Sequence, residues 1–493
     1  NNEGVIYLGI GENFLDLNAF KALGFQLGSL LNKRKLAKVT IDYINTIQPS
    51  ILDNILETIE DNYNIINIVN EVFPDKTSHI DSLKPAIFIL ASISARLKQL
   101  SATSSVPLAL TSVKIIEKLK LNLLERNGDG SYFSEGWLRN FILSFEETKL
   151  IIDCFNVLFY EIINRLNKRP KLHILDCTKI EVNLSNTNYE NSSIALDKDN
   201  NRMRGYKVGV LRGCLPVGGI IEEICIDSAN VHDLALTKEM LLNSKHLKKG
   251  DTLIADRGFI DLDLILALKE RGINVIIPAR NNMDIFTEAV SIAKESNKWE
   301  AHPERKEQQI SLVKNLDNWK KKEKSIELSA SVVRIPKSYN FEYSDTEYLS
   351  QDNEYMYIVI LSTNNELSAR SIILTYSKRP EIEEDFRQLK EYWKLTDFKS
   401  TKYKFLVFYI MTMFSAYNFY QLYKNLDSGK KYKRTTLPVA VKQERNRFKP
   451  SEIKVIIVSG KYFAIYEFYE TFELYDKFPE EIRTKFKNYI KDG

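Results

Sequence analysis

Tyr376, Arg379, Glu383 and Lys390 stand in the segment Tyr-Ser-Lys-Arg-Pro-Glu-Ile-Glu-Glu-Asp-Phe-Arg-Gln-Leu-Lys, at the spacing Y-x2-R-x3-E-x6-K. The steps are helical, so the spacing predicts four side chains on one side of a helix. A phenol, a guanidinium, a carboxylate and an ammonium along one stripe suit a surface that holds phosphates around a metal. Two further acids are candidates for the same site. Asp176 lies inside the strand-like run His-Ile-Leu-Asp-Cys-Thr, and Asp256 ends the strand-like part of Leu-Ile-Ala-Asp-Arg-Gly-Phe. Three carboxylates from separate elements make an oxygen-rich pocket suited to Mg2+ or Mn2+. Two such ions about 3.5–4 Å apart can activate a water or a 3′-hydroxyl and stabilise the leaving oxygen in an in-line displacement at phosphorus. An aspartate at a strand end is ordinarily structural; what singles out this trio is its order along the chain. The five histidines are scattered, and no Ser-His-Asp or Cys-His order competes with it.

Residues 1–168 read as helical, with apolar spacing of the helical kind over Ile51–Val72, Leu83–Leu100 and Val113–Leu124. Lys114, Lys118 and Lys120 make a DNA contact one reading of this region; a helical bundle with solvated lysines is the other. From Lys171 the pattern turns to strands: Leu172–Thr178, then Tyr206–Arg212 and Val217–Ile226 as a hairpin. Asn230 or Asp233 can cap a helix running to about Leu242. A strand at Thr252–Asp256, a helix at Ile260–Arg271 and a strand at Ile273–Pro278 follow. Three strands, helix, strand, helix, strand is the order of a ribonuclease-H-like fold. In that topology the strands bearing Asp176 and Asp256 are neighbours, and a late helix bearing Glu383 packs beside their edge.

The expected fold is therefore α/β: an all-α N-terminal domain (1–168) and a ribonuclease-H-like core in two parts (169–283 and 375–425). A β-rich insertion (284–374) separates those parts, and a basic segment with a C-terminal tail (426–493) follows. The basic run from Lys430 to Lys449 is a candidate for DNA backbone. Arg257, Lys207, Arg280 and Arg387 are candidate phosphate contacts, each with a solvated surface charge as the alternative.

The 493 residues suffice for two to four domains, and 44% hydrophobic with 27% charged residues is a globular balance. A formal net charge of only +4 does not exclude a nucleic-acid partner, which needs basic charge in one place. Cys154, Cys177, Cys214 and Cys225 have neither C-x-x-C nor zinc spacing and read as reduced, mostly buried thiols of a cytosolic protein. Asn1–Leu17 lacks the pattern of a signal peptide, and the absence of an initiator Met reads as processing or trimming. Phe405–Leu422 approaches membrane-spanning length, but Thr412, Ser415, Asn418 and Gln421 recur along it, which favours a core helix over a span.

From about Leu172 to Leu422 the chain resembles the DDE transposases of bacterial insertion sequences. The Y-R-E-K signature matches at every spacing, and Asp256-Arg257-Gly258-Phe259, Gly205-Tyr206-Lys207 and Asn230-Val231-His232-Asp233 add to the likeness. The resemblance implies that Asp176, Asp256 and Glu383 are catalytic and bind the metals, while Tyr376, Arg379 and Lys390 contact phosphates at the element's end. It implies a cytoplasmic, nucleoid-associated enzyme, a dimer or higher assembly on double-stranded DNA, that cleaves transposon ends and transfers a 3′-hydroxyl to target DNA. Trp299 or Trp319 would be the aromatic that stacks on a flipped base. Pro380 departs from the many members with Trp after the signature arginine, which suits a helix's first turn but alters a packing contact. His232 and Asp233 read as a loop and helix-start pair rather than metal ligands. Three rival readings remain: a ribonuclease-H-like nuclease that cuts without joining, a non-catalytic DNA-binding regulator, and a membrane protein anchored by Phe405–Leu422.

Overall fold

The computed structural model describes residues 44–47, 51–75, 83–121, 131–197, 199–321, 323–338, 350–352, 354–446, 454–459 and 462–467. The chain divides into two compact units, one of residues 1–146, 397–399 and 412–493 and the other of 147–396 and 400–411.

The first unit is built on helices α1 (Ile51–Tyr63), α2 (Ile65–Val72), α3 (Pro85–Leu97), α4 (Val113–Lys118) and α5 (Glu135–Leu143). Every residue of α3 is buried, as its nearly uncharged sequence requires, and Pro85 opens it where no backbone donor is needed. Ser112 and Ser134 cap α4 and α5, accepting from the amides of Ile115 and Trp137. Lys118 lies 3.1 Å from Glu60 and 3.2 Å from Asp61 on α1, and Lys114 also pairs with Asp61. These two lysines are thus engaged by acids of the same helical bundle. Short strands Ile44–Ile47, Lys454–Ser459 and Tyr462–Glu467 pair antiparallel in this unit. Of the basic run, Arg447 and Lys449 lie outside the described residues, as does Asn1–Leu17.

An eleven-stranded sheet forms the second unit. Its strands are β1 (Leu172–Val182), β2 (Ser193–Leu196), β3 (Arg202–Cys214), β4 (Gly219–Ser228), β5 (Thr252–Ala255), β6 (Asn274–Pro278), β7 (Glu300–Ala301), β8 (Gln309–Leu316), β9 (Leu328–Pro336), β10 (Ser350–Gln351) and β11 (Tyr355–Ser362). β2 and β4 both pair one side of β3, and the order continues β3-β1-β5-β6-β11-β9-β8-β7. Only β1–β5 and β5–β6 are parallel; the other pairs are antiparallel. Strands β7–β11, within the region from 284 to 374 that the sequence reading sets apart as an insertion, extend the same sheet. β11 pairs with β6 through Ile360↔Pro278, Leu361↔Ile277 and Ser362↔Ile276, covering an edge that would otherwise be open.

Helix α6 (Thr148–Asn164) belongs to the sheet unit, not to the bundle that precedes it in sequence. Its Asn156 amide donates to the Ile224 carbonyl at 2.8 Å and accepts from the Ile224 amide at 3.0 Å, completing backbone bonds on the outer side of β4. Helices α7 (Asp233–Asn243), α8 (Leu262–Glu270) and α9 (Asp284–Ser296) follow. His232, not Asn230 or Asp233, caps α7: its Nδ1 accepts from the Leu234 amide.

The sheet's side chains alternate between two cores. Val275, Ile277 and Val332 join Leu268, Phe286 and Val290 of α8 and α9, whereas Ile276, Val333 and Ile360 face Ile372 and Ile373 of α10 (Ala369–Tyr376). Helix α11 (Pro380–Glu391) comes next. Helix α12 (Tyr403–Asn425) buries its polar stripe along with its apolar residues: Thr412, Ser415, Asn418 and Gln421 are at most 2% exposed. Among the described residues no helix is long and apolar enough to cross a membrane.

Candidate active site

Parallel pairing sets the two aspartates side by side. Leu175 of β1 is opposite Ala255, the last residue of β5, so Asp176, which stays in β1 paired with Val210 of β3, and Asp256, which follows the end of β5, stand at the same level. Asp176 keeps one oxygen on the backbone amide of Cys177 at 2.8 Å. Asp256 caps a single turn over Arg257–Phe259 by accepting from the Gly258 amide at 2.6 Å.

Glu383 is on α11, and here the structure corrects the reading of the signature as one helix. Tyr376 ends α10, residues 377–379 form a turn, and Pro380 opens α11. Proline carries no N–H, so the Tyr376 carbonyl is met instead by the Arg379 amide at 2.9 Å. The break leaves Arg379, Glu383 and Lys390 on one face of α11 and its N-terminal extension, with Tyr376 on the preceding helix.

The three carboxylates meet on one guanidinium. Arg379 Nη2 lies 3.3 Å from Asp176 Oδ2 and 3.4 Å from Asp256 Oδ2, while Nη1 donates to Glu383 Oε1. Arg379 Nε is buried with no hydrogen-bond partner. Burial works against the charge of Arg379, and Asp176, Glu383, Tyr376 and Asp256 outweigh it, holding its pKa above the ordinary value. Burial raises the Asp176 carboxyl to about 7; Arg379 opposes the rise, and the charges of Asp256 and Glu383 add to it.

The donor set is of the type that holds a hard divalent cation, carboxylate oxygens from three elements. In this geometry the cation between them is the guanidinium. Among the described residues no three His, Cys, Asp or Glu side chains are close enough together to share one ion.

A cavity of about 410 Å³ opens beside the cluster. It is lined by Asp256, Tyr376 and Arg379 of the cluster's surroundings, by His302 and Arg305, and by the apolar Val333, Ile360 and Ile373.

Lys207 is 7% exposed, and its ammonium sits 2.6 Å from Asp233 Oδ1 and on the Val231 carbonyl. It braces the start of α7. Arg387 is committed to Glu384 and Glu391 on α11 itself. The carbonyl of Arg257 accepts from Arg280 at 3.2 Å. Lys390 is half-buried on the Glu383 face. Trp299 lies under the Arg334 guanidinium at 4.2 Å, and Trp319 packs on the main core.

One group escaped the sequence reading. Arg212 of β3 is 1% exposed; its Nε lies 2.5 Å from Asp385 Oδ2 and its Nη2 3.1 Å from Glu381 Oε2. Its signal was an arginine inside the apolar run Val-Gly-Val-Leu-Arg-Gly-Cys, and an aspartate beside Phe386 on the apolar side of an amphipathic helix.

Residues 178–419 match the family profile described as the transposase DDE domain. The span takes in Asp256, Glu383 and the whole Y-R-E-K segment, and begins just after Asp176. The match supports a transposase. No curated protein matches the chain. Among solved structures, the chain is similar to a piggyBac transposase synaptic complex with hairpin DNA, determined by cryo-electron microscopy, at 9% identity and a TM-score of 0.42, over 82% of this chain and 84% of that one.

Proposed function

We propose that the chain is a DDE transposase of a bacterial insertion sequence with a ribonuclease-H-like catalytic core, which binds the element's ends, cleaves them and joins a 3′-hydroxyl to target DNA. The observation that carries the proposal is the convergence of Asp176, Asp256 and Glu383, from two neighbouring strands and a distant helix, on the single side chain of Arg379. Three carboxylates brought together need a cation or shared protons to offset their like charges, and here Arg379 supplies a cation. Divalent ions, Mg2+ or Mn2+ and two in number, held by these three residues would neutralise charge at the phosphorus and lower the pKa of a bound water.

The chain's own residues supply the rest. Arg379 offers its guanidinium to a phosphate at the cleavage point, Lys390 to a neighbouring phosphate on the same helix face, and Tyr376 and Arg257 to the strand at the cavity mouth. Lys207, already engaged by Asp233, supports the fold beneath. The working unit is a dimer or larger assembly on DNA in the nucleoid.

The test is cleavage and joining on duplexes built from the DNA that flanks the chain's reading frame, with Mg2+ or Mn2+. Specific nicking at the element's end, and joining of pre-cut ends, are expected of the parent; Glu383→Gln should bind and not cut. Cutting without joining would replace the proposal by a nuclease, and binding with no cutting would replace it by a regulator.

A further inference from the structure

We infer that Arg212 is a positioning residue that fixes the rotation of α11, and with it the aim of Glu383; the inference rests on the transposase reading only for what Glu383 then does. Glu381 and Asp385 are one helical turn apart and lie together on the sheet side of α11. Arg212 reaches both, at 3.1 Å and 2.5 Å. Glu383 sits between them in sequence and points the other way, half-exposed, to Arg379. The remaining buried residues of α11, Ile382, Phe386 and Leu389, form an apolar stripe that sets its buried face, and the two carboxylates add directional pairing to that non-directional packing. A helix slipped by one residue turns by about 100°. That slip would leave Arg212 buried beside at most one carboxylate, and an unpaired buried charge is what the fold disfavours most strongly.

The sheet is shaped to admit this arginine. Pairing of β3 with β4 shifts by one residue between Leu211, opposite Glu223, and Arg212, opposite Ile221. The shift brings Gly219 opposite Cys214, where an unshifted ladder would bring Ile220. Arg212 crosses that bare position: a Cβ on Gly219 would stand 2.2 Å from its Cζ and 2.3 Å from its Nε. Cys214 Sγ, 3.2 Å from Nη1, closes the end. A strand irregularity, a glycine and two acids on α11 therefore all serve one guanidinium, which makes no contact with Asp176 or Asp256.

The experiment separates positioning from stability. Arg212→Met alone should lower the melting temperature. The triple variant Arg212→Met, Glu381→Gln, Asp385→Leu removes every charge of the group and should melt within a few degrees of the parent, because buried ion pairs are commonly replaceable by apolar packing. If Arg212 only stabilises, nicking of the flanking-DNA duplex with Mn2+ returns with the stability, and the inference is overturned. If it positions, the rate at saturating DNA stays down by about a hundredfold, as expected of a displacement of about 1 Å, while the half-saturating DNA concentration is unchanged.

Should the triple variant fail to fold, Arg212→Lys serves, keeping the charge and losing the fork; parental nicking there also overturns the inference. A readout without any reaction is the dipolar distance between spin labels at the exposed positions Glu384 on α11 and Lys314 on β8. One narrow distribution is expected in the parent, and a broadened or displaced one in the variant that has lost the fork. An unchanged distribution sinks the inference whatever the nicking shows, and a changed one in a protein that never nicks would leave it standing while the transposase reading fell.

Discussion

Raising the pH from 6.5 to 9 should destabilise the sheet unit through one buried imidazole. His173, at the start of β1, is fully buried with Nδ1 2.5 Å from Glu222 Oε2 and Nε2 3.4 Å from Asp251 Oδ2; Asp251 in turn lies 2.6 Å from Arg169. Burial alone would lower the pKa of this histidine, but Glu222 and Asp251 outweigh it and raise it from 6.5 to about 9. At about 1.4 kcal/mol per tenfold change in proton affinity, that difference is worth about 3 kcal/mol. Because the folded-state value is the higher one, the contribution is complete below pH 6.5 and disappears as the pH rises through 9. Three of the four tryptophans (Trp299, Trp319 and Trp393) belong to the sheet unit, so in a Trp137→Phe background fluorescence follows that unit alone. Urea unfolding should then show stability falling by about 3 kcal/mol across this range. His173→Gln should be less stable at pH 6.5 and nearly flat above about pH 8, once Glu223 and Asp176, each raised to about 7, have lost their protons. Glu223, raised to about 7 by burial, also favours the folded state at low pH, so Glu223→Gln is the control that must keep the upper part of the slope. A parent that is flat from about pH 8 to 9, or a slope in that window that survives in His173→Gln, would refute the reasoning.

Gly219→Ala should cost about 3 kcal/mol or more in thermal unfolding, since Arg212 must yield its place over the glycine and leave buried carboxylates unpaired. Arg379→Gln should raise the affinity of DNA-free protein for Mn2+ by about tenfold, read as loss of the free-ion paramagnetic resonance signal, because it removes the competing cation from among three carboxylates. Equal affinity in parent and variant would mean that ions bind elsewhere. Lys207→Met should lower stability by about 1–3 kcal/mol by unfolding assay, while leaving the half-saturating DNA concentration and its salt dependence as in the parent.

Local pattern made the central elements of the sheet unit legible. The strand expected at Leu172–Thr178 runs Leu172–Val182, and the helix expected at Ile260–Arg271 runs Leu262–Glu270. Their order also placed Asp176 beside Asp256, because a parallel pair joined through helices admits few alternatives. What stayed hidden depends on partners far along the chain. Nothing in Tyr355–Ser362 names Asn274–Pro278 as its neighbour, so the strands after residue 284 looked like a separate body. Lys207 and Arg212 have the composition of phosphate ligands, and only the register of β3 decides that both are buried. Pro380 was read correctly as a first-turn residue, yet that same fact assigns Tyr376 to the preceding helix.

The separation of the three carboxylates in sequence has a consequence for synthesis. Asp176 and Asp256 become neighbours once β5 is made, but Glu383 lies 207 residues beyond Asp176, by the difference of their numbers. At about 5–20 residues per second, a ribosome needs roughly 10–40 s to cover that interval. Over the last 127 of those residues, the difference between 383 and 256, the nascent chain holds both aspartates and lacks the helix that completes the cluster. A product ending between β6 and α11, by premature termination or by cleavage after residue 284, keeps Asp176 and Asp256 and lacks Glu383. Such a fragment would carry both aspartates without the third acid, so on the proposed function incomplete synthesis yields a chain that cannot perform the reaction.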